Sequence, residues 1–330
     1  MPTPMDPITS SFQLQFPAGM APVACVDIGG TKVALTLADA SGIRGKWAEP
    51  TAKVGESDAL ALQIIRMVEQ GCIQCGIAKE ALGAVGVVSC GPFVLRDGLV
   101  ELSTPNICGG MAGKARGLPN DWTTALLEAP LRQAFARVRV ENDGVGALEA
   151  ERRWGALQGL DHCAYVTWST GIGVGVCVDG RALRGKNGNA GHWGHSFVSD
   201  NTDALCGCGN IGDVEGLIAG NAIARRFGTQ GFADAAQLFF AARAGQVDAL
   251  EIVDGLCYVM GRLLFNLMTT LDVQRISMGG SVFWHQQDLL LPRLRAQIGA
   301  KLPSMTHGVD IVPAGLGESV GDYAALALVL

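Results

Sequence analysis

The apolar positions of this chain change period several times, and those changes mark out its elements. Val23 to Val26 is a continuous apolar run. The turn Asp27-Ile28-Gly29-Gly30-Thr31 follows, and then the alternating stretch Lys32 to Leu37. Such runs on either side of paired glycines predict strand, tight turn and strand, over about 23–28 and 32–38. From about Ser57 to Glu69 the spacing becomes helical, with Leu60, Ile64, Ile65 and Val68 on one face, Ser57 as N-cap and Gly71 past the end. Ala84 to Val88 reads as a buried strand, and Asp97-Gly98 as the hairpin turn between Phe93–Leu95 and Leu99–Leu102. Val138 to Glu141 is a further short strand that ends at Asn142-Asp143.

The theme then returns. Cys163 to Trp168 and Val174 to Asp179 flank a second glycine turn, Ser169-Thr170-Gly171-Ile172-Gly173. A long helical pattern covers about 249–270. Arg275 to Met278 is a strand running into Gly279-Gly280-Ser281, a last strand lies near Val309 to Val312, and Tyr323 to Leu330 closes the chain as a helix. Two α/β halves built on strand, glycine turn and strand predict a cleft between them.

Composition narrows the class. With 330 residues, 48% apolar and 17% charged, the chain has material for two domains with ordinary cores. A net charge of −6 argues against nucleic acid as the main partner, since phosphate binding needs a clustered basic surface. Of the 10 cysteines, Cys25, Cys163, Cys177 and Cys257 fall inside apolar patterns and read as small buried hydrophobes of a reducing compartment. Residues 1–20 carry prolines but no basic n-region and no sustained apolar h-region, so they read as a flexible tail rather than a targeting segment. Other apolar runs are broken by Gly, Arg or Thr and predict no membrane span. The expectation is a cytoplasmic protein with no membrane partner.

The first turn carries chemistry. Without side chains at Gly29 and Gly30, backbone amides can approach an anion closely; Thr31 adds a hydroxyl, and Asp27 sets a carboxylate where a divalent cation can sit. The turn is neither a Walker A loop nor a Rossmann fingerprint, because it opens no helix. An ordinary hairpin with an Asp at its mouth is the plain alternative. Asn142-Asp143 likewise has two readings, a reactive carboxylate beside a hydrogen-bonding amide, or the cap of a helix that begins near Gly144.

Taken in order, these segments resemble the ROK family of sugar kinases. Asp27-Ile28-Gly29-Gly30-Thr31-Lys32 is similar to its first phosphate motif, Thr104-Pro105-Asn106 to its sugar-side loop, and Glu141-Asn142-Asp143 to its catalytic motif. Ser169 to Gly173 resembles the second phosphate turn and Gly279-Gly280-Ser281 the adenosine-side turn. Gly191-His192-Trp193-Gly194-His195 with Cys206 to Glu215 resembles the sugar and zinc signature. The resemblance covers most of the chain. It implies an α/β protein of the actin-like (RNase H-like) ATPase fold, two α/β domains around a central cleft. The first domain is 21–143, with the helix at 319–330 packing back on it. The second is 144–318, with a sugar and zinc loop at 187–215.

The resemblance further implies transfer from ATP, with magnesium, to a hexose hydroxyl, usually on C6, by a homodimer. Glucose is the first substrate to test, with a fructokinase or an N-acetylhexosamine kinase as the alternative. Asp143 is then the general base, taking the hydroxyl proton as the phosphoryl group transfers. Asn106, Asn142, Asp143 itself, His192, His195 and Glu215 face the sugar. Asp27 positions magnesium through water. Gly29, Gly30, Thr31, Lys32, Thr170, Gly171 and Gly173 cradle phosphates, while Gly279 and Gly280 let the adenosine approach.

The chain departs from the family pattern twice. His195, Cys206 and Cys208 are a candidate zinc set, but Asp213 stands where a third cysteine is usual. Aspartate is a harder donor, and Asp213 also sits where it would N-cap a helix running through Leu217 to Arg226. His192 stands where a sugar-contacting Glu is usual, and imidazole offers at most one acceptor. The stretch Gly109 to Gly117, with Lys114 and Arg116, reads as an inserted solvated loop, or as a lid. Readings from other classes are a sugar-binding pseudokinase, a sugar-responsive regulator, which here lacks a DNA-reading helix, and a zinc hydrolase, which leaves the glycine turns unexplained.

Overall fold

A computed structural model describes residues 16–112, 117–200, 203–299 and 301–330. Most of the expected tail, and Lys114 and Arg116 of the expected loop, therefore lie outside the described residues. In the first half β1 (Val23–Ile28), β2 (Lys32–Asp39) and β3 (Gly42–Pro50) form an antiparallel meander. The helix α1 (Ala59–Cys75) crosses over, and β4 (Ala84–Ser89) returns parallel to β1. A small sheet follows, of β5 (Phe93–Arg96), β6 (Leu99–Leu102) and, after the short α2 (Gly109–Ala112), β7 (Ala125–Leu126). Beyond α3 (Glu128–Ala134), β8 (Val138–Asn142) joins parallel to β4 and runs directly into α4 (Asp143–Trp154). The main sheet has the order β3-β2-β1-β4-β8. Its inner strands β1 and β4 are covered on both faces, which is why they read as unbroken apolar runs rather than alternating ones.

The second half repeats this topology. The strands β9 (Cys163–Trp168), β10 (Ile172–Val178) and β11 (Arg181–Ala182) form the meander. The helices α5 (Val214–Ile218), α6 (Gly220–Phe227), α7 (Ala235–Arg243) and α8 (Val247–Leu271) follow, and β12 (Arg275–Gly279) returns parallel to β9. After α9 (Ser281–Trp284), α10 (Gln287–Ile298) and α11 (Pro303–Thr306), β13 (Asp310–Pro313) pairs parallel with β12, and α12 (Val320–Ala327) ends the fold. The order is β11-β10-β9-β12-β13. By length and composition α8 is apolar enough to span a membrane. Here its face carrying Val253, Leu256, Met260, Leu263 and Leu267 is the centre of the second core, against α5, α7 and α10.

A layer of two helices joins the halves. α4 packs on β9 and β10 and also on β4 and β8, while α12 packs on α4, β1 and β4. Glycines in the strands admit them. A Cβ on Gly86 would stand 2.3 Å from the Ala325 carbonyl oxygen, and one on Gly175 would stand 2.2 Å from that of Gly144.

Several boundaries differ from the sequence pattern. α1 does not stop before Gly71. That glycine lies inside the helix, where a Cβ would meet Trp47 at 3.1 Å and Leu37 at 3.2 Å, and the helix ends at Gly76 with φ 66°. Ser57 is not its cap; Asp58 holds that position, and the Ser57 carbonyl accepts from the Leu126 N–H. The helix expected through Leu217 to Arg226 breaks at Ala219, which is extended at φ −61° and ψ 154°, because the Gly220 N–H is drawn away to the Ser169 carbonyl at 2.8 Å. Of the expected tail, Phe16 and Met20 pack against the α12 cluster. The start of the expected loop is pinned, with the Gly109 N–H donating to Asn120 Oδ1 at 2.7 Å and the Gly110 N–H to the Trp122 carbonyl at 3.0 Å.

Candidate active site

Parallel neighbours in a sheet end on the same side, so the loops that leave them converge. Asp27, next to last on β1, stands opposite Val88 of β4, and β8 ends at Asn142 beside Ser89. From the other sheet β9 ends at Trp168, just before Ser169, and β12 at Gly279, just before Gly280. Between these ends lies a cavity of about 390 Å³. Asp27, Asp143, Gly144 and Ala147 line it from one side; Thr167, Ser169, Gly280, Ser281 and Trp284 line it from the other, with Gly317 and Glu318 leading into α12.

Both carboxylates are open to the cavity yet walled by protein on most sides. That enclosure, and then the Asp143 charge, push Asp27 up to about 6, while Lys32 pulls the other way. Enclosure also raises Asp143; the Gly144 N–H and His192 oppose the rise, and Glu215 adds to it. One Asp143 oxygen, Oδ1, accepts the Gly144 N–H at 2.8 Å. The same N–H lies 2.9 Å from Asn142 Oδ1, so Asn142 is the cap of α4 as well as the neighbour of the carboxylate.

The glycine turns are built for close approach. Gly29 N–H donates to the Lys32 carbonyl at 2.9 Å and closes the first turn, leaving Thr31 and Lys32 exposed at its tip. A Cβ on Gly30 would stand 2.8 Å from Asn106 Cβ, so this turn touches the Thr104-Pro105-Asn106 loop directly. That loop is tied in turn to Cys90 and Gly91, whose carbonyls accept from Thr104 Oγ1 at 3.0 and 3.1 Å. In the second turn Thr170 is exposed, and the space over Gly171 is taken by Glu215, whose Oε2 would lie 2.8 Å from a Cβ there and accepts the Ile172 N–H at 3.0 Å. Gly173 faces the Thr167 methyl. At the third turn, side chains on Gly279 or Gly280 would strike Tyr165 or Thr167; φ at Gly280 is 87°.

His192 and His195 sit with ring centroids 6.0 Å apart. His192 Nε2 presses on Gly91, where a Cβ would come within 2.7 Å. Burial, then the neighbouring His195, hold its pKa below the ordinary value, against the pull of Asp143. His195 turns to a different group. Its Nδ1 lies 3.3 Å from Asp213 Oδ2 and 3.6 Å from Cys206 Sγ, and Cys208 Sγ lies 3.4 Å from the same Asp213 oxygen. All four donor atoms fall within 4.8 Å of one another. Ligands on a tetrahedral zinc with ordinary bond lengths stand about 3.3–3.8 Å apart, so the set fits such an ion. The two roles of Asp213 turn out to be compatible, because Oδ1 accepts the Gly216 N–H at 2.7 Å as the cap of α5 while Oδ2 faces the thiols and the imidazole.

Sequence reasoning missed part of the cavity wall. Ser169 and Ser281 hydroxyls meet at 3.1 Å across it, and both adjoin glycine turns, so proximity in sequence could have found them. Trp284 and Glu318 carry no local signal. Cys90, whose thiol is pushed up first by burial and then by the charges of Asp143 and Asp27, lies beside both carboxylates and was likewise not singled out.

Residues 23–330 match the family model described as ROK family. A glucokinase of Aeropyrum pernix is 28% identical, over 94% of this chain and 97% of that protein. An N-acetylmannosamine kinase of Escherichia coli is 31% identical, over 92% of this chain and 96% of that one. The crystal structure of a ROK hexokinase from Thermus thermophilus superposes with a TM-score of 0.73 at 30% identity, covering 93% of this chain and 97% of its own. A ROK family glucokinase from Streptomyces griseus, solved with glucose and AMPPNP, gives 0.66 at 25% identity, over 93% and 98%.

Proposed function

Because the chain belongs to the ROK family and has the actin-like ATPase fold of its sugar kinases, we propose that this sugar kinase moves the terminal phosphoryl group of ATP to a hexose hydroxyl, at C6 of glucose or of a related sugar. The observation that carries this reading is the hollow that Asp27 and Asp143 share. In it Asp143 is the general base. Gly144 occupies one of its oxygens, which leaves the other for the hydroxyl, and enclosure raises its pKa above the ordinary value, which strengthens the ionised form as a proton acceptor.

Asp27 is the residue for the water shell of a magnesium ion bound with ATP; that ion supplies charge neutralisation at the β- and γ-phosphate oxygens. Gly29, Gly30, Thr31, Lys32, Thr170, Gly171 and Gly173 are assigned to the phosphates, and Gly279 and Gly280 to the adenosine side. Asn106, Asn142, His192, His195 and Glu215 are assigned to the sugar. With its lowered pKa, His192 is a neutral ring near pH 7, and a neutral ring accepts one hydrogen bond where a carboxylate accepts several. His195, Cys206, Cys208 and Asp213 would hold a zinc ion, which stiffens the loop that carries His195.

The same reading assigns the protein to the cytoplasm, where ten free thiols are stable, and makes it a homodimer, which light scattering of the purified protein tests. The deciding experiment is ADP release with magnesium and ATP across glucose, mannose, fructose, allose, N-acetylglucosamine and N-acetylmannosamine. Turnover is expected with glucose or with an N-acetylhexosamine. A folded protein that is silent on every sugar would instead be a sugar-binding pseudokinase.

A further inference from the structure

Glu151 sits two turns along α4 from Asp143, with none of its surface exposed, and takes no part in the chemistry above. Four donors converge on its carboxylate. Oε2 accepts the Ala156 N–H, the Ser277 hydroxyl and the Gly315 N–H, each at 2.9 Å, and Oε1 accepts the Leu316 N–H at 2.8 Å. A carboxylate offers about four lone-pair sites, and four donors converge on this one, three of them on Oε2. None of these partners is a cation. A fully buried carboxyl group held only by amides and a hydroxyl, in the last turns of a helix, is costly to bury unless every such partner is in place. The chain also closes tightly around it. A Cβ on Gly155 would meet the carboxylate oxygens at 2.5 Å, and one on Gly315 would meet Ala156 N at 2.4 Å.

The donors come from separate places. Ala156 follows α4, whose first residue is Asp143. Ser277, fully buried, is on β12, which ends at the turn Gly279-Gly280. Gly315 and Leu316 lead into Gly317 and Glu318 of the cavity wall. We infer that Glu151 is a positioning residue for phosphoryl transfer, fixing the helix that carries Asp143 in register with the β12 turn and the 315–318 loop. This rests on the reading of the cavity as a nucleotide site. Misplacement by about 1 Å from a remote change can cost roughly a hundredfold in rate.

Glu151→Gln tests this. An amide turns part of the acceptor set into donors facing donors, at unchanged volume. Calorimetry and steady-state kinetics are run on the full-length wild type and the variant. The expected result is a KM for MgATP raised about tenfold and kcat lowered by about tenfold or more, with the sugar dissociation constant within about twofold of wild type. A purely structural role would weaken sugar and nucleotide alike, and that result, or unchanged kinetics in a folded variant, overturns the inference. If Glu151→Gln does not fold, Ser277→Ala decides: it removes one donor, is expected to raise the MgATP KM alone, and an unchanged value overturns the inference. A wild type that binds sugar but neither ATP nor ADP would show that the nucleotide reading has failed, and the inference with it.

Discussion

The carboxamide of Asn189 closes on the backbone of Phe93 from across the molecule: Oδ1 accepts the Phe93 N–H at 2.7 Å, and Nδ2 donates to the Phe93 carbonyl at 2.8 Å. Phe93 belongs to the first core and Asn189 to the segment after β11 in the second half. One side chain does here what a neighbouring strand would do. Arg184 of the same segment pairs with Glu141 on β8 at 2.5 Å, and His192 lies against Gly91. The wall assigned above to the sugar is therefore a joint between halves.

Asn189→Ala should loosen that joint. Two neutral hydrogen bonds are worth about 1–3 kcal/mol net. The sugar KM should rise about tenfold while the MgATP KM stays within about twofold, because the nucleotide wall shares none of these contacts. Steady-state kinetics with each substrate varied in turn is the check, and an equal rise in both constants would count against a sugar-side joint.

Asp143→Asn should lower kcat about a hundredfold or more, the usual scale for a general base, with both KM values little changed. The pH profile carries a second test. Enclosure raises the Asp143 pKa, so protonation disables the base as pH falls through a value above the free-aspartate figure of about 3.9. With MgATP saturating, the acid limb of kcat should lie above that figure in the wild type and be missing from the residual kcat of Asp143→Asn.

Enclosure, and then the Asp143 charge, push the Asp27 pKa up to about 6. Above that value it is charged and can serve the magnesium shell; below it the protonated form cannot. Calorimetric affinity for MgADP should fall between about pH 7 and about pH 5, and more steeply than in Asp27→Asn, where this titration is gone. Equal pH dependence in both proteins would remove Asp27 from the metal side of the cavity.

Asp213 allows cap and metal to be separated. Asn and Asp cap helices about equally well, so Asp213→Asn should leave the melting temperature of metal-free protein unchanged while weakening zinc binding about tenfold or more. Asp213→Ala should lose both, including about 1 kcal/mol for the cap. Metal analysis and thermal unfolding together decide, and protein purified without added metal that contains no zinc would defeat the zinc reading.

What the sequence by itself determined were the features with local causes. A glycine turn between two strand-forming apolar runs is closed by its immediate neighbours, so the turns at Gly29-Gly30 and Gly171 stood at their predicted places. The strands β1, β4, β9 and β12 were visible for the same reason, and the order of motifs was enough for the family. Tertiary structure alone decided what depends on distant partners. α1 continues through Gly71 because Trp47 and Leu37 fill the space beside it, and α5 parts from α6 because Ser169 takes an amide. Asn189 reaches Phe93, and Glu151 gathers donors from residues up to 165 positions away. Neither has a local signature, because a buried carboxylate or amide is defined by the groups that satisfy it, and the chain brings those groups together only by folding.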